Sequence, residues 1–182
     1  MKKTIAIALG SALLFASLCL GGCTETGPSS PATVFRPHDL EKVQRLVRDF
    51  DHYTVRRRHD EQFVSVSEYK VTPECIAYLD ADSVQQYIVY NGGDSYRLTQ
   101  TESGYDRTPY TEAYSAVIAE AYNYFTFEEA EWEYDNSTET YTNELIPNAS
   151  VRIRDTIVSL QLKSYSIELY NFGATSVEIP RG

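Results

Sequence analysis

Basic residues are scarce in this chain: 16 Lys and Arg stand against 26 Asp and Glu among 182 residues. That balance repels phosphate backbones, so nucleic acid is excluded as a main partner. Cysteine is scarcer still, with three in the whole chain. No Cys-x-x-Cys pair, His-Glu-x-x-His pair, Gly-x-Ser-x-Gly elbow or glycine-rich phosphate loop occurs. No nucleophile and base, metal ligand set or cofactor site can therefore be named, and the reading is of a non-catalytic protein. Long apolar runs are missing too, except for one near the start.

That run, Ile5–Leu20, is uncharged and follows Lys2 and Lys3. At about 1.5 Å rise per residue it falls short of the roughly 30 Å hydrocarbon core, so it reads as an export signal and not a permanent span. Leu20-Gly21-Gly22-Cys23 follows: an aliphatic residue, two small residues and a cysteine. This pattern resembles the lipobox of bacterial lipoproteins. The resemblance implies diacylglycerol on the Cys23 sulfur, cleavage after Gly22, and a mature chain whose partner is the membrane on its exported side. Thr24 stands where some two-membrane bacteria use a retaining aspartate. That implies the outer membrane where one exists, and otherwise the outer face of the cytoplasmic membrane. Residues 1–22 carry two lysines and no acid, so the mature chain is more negative than the formal −10 of the whole. They also carry Cys19. With Cys23 as anchor, Cys75 is left without a partner, and it reads as a buried small hydrophobe in a strand.

Residues 23–35 read as a lipidated, flexible Gly/Ser/Pro/Thr-rich tether, and 36–182 as one domain large enough for a real core. Leu40, Val43, Leu46, Val47 and Phe50 recur at helical spacing, which predicts a helix over 38–50. Strands are predicted at 53–57 and 63–71 across the turn 59–62, then at 75–79, 84–90 and 96–100. Thr108-Pro109 predicts the start of a second helix reaching Phe125. Alternation then predicts strands near 129–135, 140–146, 151–154, 158–163 and 167–169, with one packed face and one wet face. The fold class is α+β, an antiparallel sheet with two main helices.

Three weaker features each have a plain structural role. His38, His52 and His59 each neighbour an aspartate, but without ligand spacing they read as surface residues. Glu129, Glu131, Glu133 and Asp135 alternate along one strand and read as its solvated face. The fifteen tyrosines suit a strand-rich core, a ligand cavity or a protein interface.

The order of tether, helix, strand meander, amphipathic helix and closing strands, ending in Tyr170-Asn171-Phe172-Gly173 and Val177-Glu178-Ile179-Pro180, resembles the LolA/LolB-type half-barrel lipoproteins. The resemblance implies a curved antiparallel sheet with helices on one face and an apolar cavity between them for a lipid or acyl chain. The residues expected to line it are Tyr114, Ile118, Trp132, Leu160 and Leu162. A cystatin-like or nuclear transport factor-like domain with a filled core explains the same order. Its partner would be another envelope protein.

Overall fold

A computed structural model of the chain describes residues 30–59, 67–126 and 132–181. The export signal, Cys23, the turn 60–62, the strand start 63–66 and the acids Glu129 and Glu131 lie outside these. The first helix, α1 (Leu40–Arg48), buries Leu40, Val43 and Val47 along one stripe. Glu41 sits in its first turn and Arg45 and Arg48 in its last, the charge order that suits the helix dipole. Its end is tied by hydrogen bonds from Phe50 N to Val47 O and from Asp51 N to Leu46 O. That is the pattern of a Schellman motif, whose left-handed position usually holds glycine. Here it holds Phe50, at φ 55°.

Six strands follow in a meander: β1 (Tyr53–His59), β2 (Ser67–Val71), β3 (Cys75–Leu79), β4 (Gln85–Val89), β5 (Tyr96–Thr101) and β6 (Gly104–Pro109). A 3-10 helix, Tyr114–Ile118, leads directly into α2 (Ala119–Thr126). A second meander holds β7 (Glu133–Asp135), β8 (Thr140–Thr142), β9 (Ser150–Arg154), β10 (Ile157–Gln161) and β11 (Tyr165–Tyr170). The two meanders join through antiparallel pairing of β1 with β11. Among the described residues the result is one open sheet of eleven strands in the order β6-β5-β4-β3-β2-β1-β11-β10-β9-β8-β7.

The second helix begins later than Thr108-Pro109 implied. Both residues belong to β6, where Thr108 faces Arg97 and Pro109 faces Tyr96. Proline is tolerated there because β6 is an edge strand with one unpaired side. Residues 143–146, expected to extend β8, form a turn instead.

Pairing register sorts the side chains onto two faces. Tyr53, Val55, Val71, Ile76, Ile167, Leu169, Val158, Leu160, Val151 and Ile153 share the first face. All are buried in one core with Val43 and Val47 of α1 and Ala121 and Phe125 of α2. Phe35 belongs to the same core, its ring edge-on to Phe172 at 4.9 Å. Thr33 N also donates to Phe172 O. The folded unit thus reaches back to Thr33, inside the stretch that composition assigned to the tether.

Toward β5 and β6 the dry side changes. Ile88 and Gln86 of β4 are still buried on the first face, but Arg97, Thr99, Asp106 and Thr108 occupy it beyond. The apolar residues Cys75, Val89 and Leu98 are buried on the second face, beneath Val177 and Ile179. The segment after β11 therefore folds back across the sheet.

Candidate functional site

The 3-10 helix and the first turn of α2 border the same cleft as β1, β2 and β11. The cleft, of about 190 Å³, is lined by Val55, Arg57, Tyr69, residues 116–121 and Ile167. Strand alternation puts Arg57 here: it shares the parity of Tyr53 and Val55, whereas Arg56 and Arg58 point to the second face. The guanidinium of Arg57 lies 4.5 Å from the centre of the Tyr165 ring. Its Nη1 is 3.5 Å from Glu120 Oε2. The Tyr165 hydroxyl donates to the other oxygen of the same carboxylate. Arg57 Nε is enclosed without a hydrogen-bond partner. A cleft with both polar and apolar lining thus ends at a cation whose charge is met by one carboxylate and one ring face. Both charged side chains keep about a third of their surface in solvent, so the pair adds only about 0–1 kcal/mol to folding and can exchange partners.

Of the five residues expected to line a cavity, Ile118 borders this cleft. Tyr114 lies one turn earlier, where its hydroxyl donates to Thr72 O at 2.8 Å and holds the 3-10 helix against the β2–β3 turn. Leu160 and Leu162 are buried in the shared core, and Tyr114 and Trp132 pack against it. Trp132 Nε1 is enclosed without a partner. Arg57, Tyr69, Glu120 and Ile167 were not singled out from sequence. For Arg57 the signal was present, as a cation on the buried parity of a strand.

His38 and His52 do not converge, and the His59 side chain lies outside the described residues. His38 packs edge-on to Tyr134 at 4.3 Å, and His52 Nδ1 pairs with Asp51 at 3.0 Å. Among the described residues no cluster of His, Cys, Asp or Glu could hold a metal ion. Asp80 accepts hydrogen bonds from Asp82 N and Val84 N and from Gln86 Nε2, so its oxygens serve the β3–β4 turn. Asp135 does the same for the turn after β7, accepting from Ser137 N, Ser137 Oγ and Thr138 Oγ1.

The second face of β1, β2 and β11 carries a polar network. Arg56 Nη2 donates to Glu68 at 3.1 Å and to the Tyr170 hydroxyl at 2.7 Å, and Tyr170 donates to Glu68 at 2.6 Å. Burial works against the Glu68 charge, but the bonds from Tyr170 and Arg56 outweigh it and hold the carboxyl below its usual range. Burial first, then the Glu68 bond, pushes the Tyr170 phenol up to about 12.

No known family model matches the chain, and no curated protein matches it.

Proposed function

We propose that the mature chain is a non-catalytic, lipid-anchored binding protein of the cell envelope, tethered through Cys23 on the exported side of a membrane. In this reading the sheet curves into a half-barrel with both helices on its first face, and the cleft beside Ile118 receives an apolar group. The supporting observation is the cleft itself, apolar at Val55, Tyr69, Ile118 and Ile167 and bordered by the Arg57–Glu120 pair. Its volume of about 190 Å³ is below the roughly 300 Å³ at which drug-sized pockets begin. The core beside it is filled at Val158, Leu160 and Leu169, which are wholly buried. The fitting ligand is therefore one end of one acyl chain and not a multi-chain lipid.

Native mass spectrometry of the protein extracted in mild detergent tests this. The wild type should carry a lipid adduct, and Ala121→Leu, which fills the cleft, should lose it while melting cooperatively. Equal adduct in both, or none in either, overturns the reading. Mass analysis of the mature N-terminus tests the anchor separately: an unmodified first residue other than Cys23 removes it.

A second reading, an envelope protein–protein interaction module, is favoured by that filled core and by exposed Leu145 and Tyr90. Crosslinking in intact cells distinguishes it, because a specific protein adduct without bound lipid supports only the module.

A further inference from the structure

The second face of β3–β5 is a closed slot. Cys75, Val89 and Leu98 form its floor, none more than 5% exposed, and Tyr87, Tyr96 and Tyr105 pack around them. Val177 and Ile179 form its roof. They stand two residues apart, so in an extended segment both side chains point the same way. No strand is formed there, and among the described residues no backbone hydrogen bond ties 176–181 to the strands below. The segment is held by two aliphatic side chains and, at its root, by Thr175 Oγ1 against Thr54 Oγ1 at 2.9 Å. The root is a tight turn with Asn171 at φ 55° and Gly173 at φ 76°. A side chain at 173 would also meet Thr33 Oγ1 at 3.2 Å.

A roof without ladder bonds lifts without opening the sheet. Lifting uncovers an apolar floor whose complement in size and spacing is this same Val-x-Ile segment. We propose that the slot on β3–β5 is an exchange site, filled by residues 174–181 of the same chain or by those residues of a second copy. The roof contacts are the same in both cases, so exchange adds the cost of opening the turn bonds from Ala174 N and Thr175 N to Asn171 O and the cost of association, which rising concentration offsets. Each copy gives one segment and receives one, so the assembly closes as a two-fold dimer. The chain's net charge of −10 opposes approach of the copies, and salt relieves that repulsion. The inference is independent of whether the cleft binds lipid.

The test uses the full mature chain and its variant V177D/I179D. At neutral pH the variant should label at Cys75 at least tenfold faster than the wild type, with its cooperative melt retained. A synthetic peptide of residues 174–181 should slow that labelling in a saturable way. The wild type should pass from monomer to dimer as concentration rises from micromolar to millimolar, more readily in high salt, and the variant should stay monomeric. If the double variant does not melt cooperatively, Ile179→Ala carries the same comparisons. Unchanged labelling, a peptide without effect, or a wild type that stays monomeric throughout overturns the proposal.

Discussion

Thr54 and Thr175 share a buried hydrogen bond of 2.9 Å, although 121 residues separate them. Thr175 donates its hydroxyl proton to Asn171 O at 3.1 Å. A hydroxyl has one proton, so Thr54 is the donor in the shared bond. Thr54→Val should therefore leave the Thr175 bond to Asn171 in place and cost about 0.5–1.5 kcal/mol. Thr175→Val removes both bonds and leaves the Thr54 hydroxyl buried without a partner, so it should cost more. In the double variant the losses should fall short of the sum of the two, which denaturant melts of all four chains would measure.

Phe50 at φ 55° combines a strained backbone with useful ring contacts. Its ring stacks on Tyr122 at 5.3 Å and meets Tyr114 edge-on at 4.9 Å. Phe50→Ala loses the ring and keeps the left-handed penalty, whereas Phe50→Gly loses the ring and relieves it. Both should destabilise, with glycine the milder by about 1 kcal/mol. If alanine equals or beats glycine in thermal melts, the strain is absent.

Acid should weaken the fold through three carboxylates. Asp80 is held low by Val84 N, with burial opposing and Gln86 and Asp82 adding to the effect. Asp135 is held low by its bonds from Ser137 and Thr138, and Glu68 by those from Tyr170 and Arg56 against burial. A depressed folded pKa contributes stability above the unfolded value of about 4, and that stability is lost as pH falls through the folded value. Stability should therefore decline below about pH 4, and Asp80→Asn should flatten part of that decline in acid titrations followed by circular dichroism.

Alkali should act in the opposite sense. Burial, with help from Glu74, pushes the Cys75 thiol up to about 12, and burial pushes Tyr87 to the same region. A raised folded pKa contributes stability below the unfolded value, about 8.5 for Cys and 10 for Tyr, and that stability is lost as pH rises toward 12. Cys75→Ala should keep more of its stability between about pH 9 and 11 than the wild type does, measured as the change from each chain's own value at pH 7.

Leu160 is wholly buried on the first face, so Leu160→Ala should cost about 2–5 kcal/mol. Glu120→Gln should cost under about 1 kcal/mol, because the pair it breaks is partly solvated. If the cleft accepts amphiphiles, the same change should favour anionic over neutral ones by freeing Arg57. Titration with a fatty acid and its methyl ester would measure this.

Period-two alternation made most strands legible, because one side of each was apolar. It failed where a residue type had two meanings. Thr108-Pro109 suits a helix start by local chemistry, yet the free edge beside β5 accommodates the same pair as strand. The cleft was legible only at Ile118, because a cleft between a helix and strands depends on which strands border it, and that is set by contacts distant in sequence. The slot on β3–β5 was hidden for a related reason. Cys75-Ile76-Ala77 is buried on both parities, and nothing local says that one parity is covered by Val177 and Ile179.

The seam between β1 and β11 sets an order of events. Thr54 pairs with Tyr170 and Arg58 with Ser166, so the sheet's middle strand finds one of its two neighbours more than a hundred residues downstream. During synthesis that side of β1 stays unpaired until the last described strand emerges. Closing so long a loop before any contact rewards it makes folding slow. The same strand pair that completes the sheet therefore also sets how long the chain stays unfolded after its synthesis.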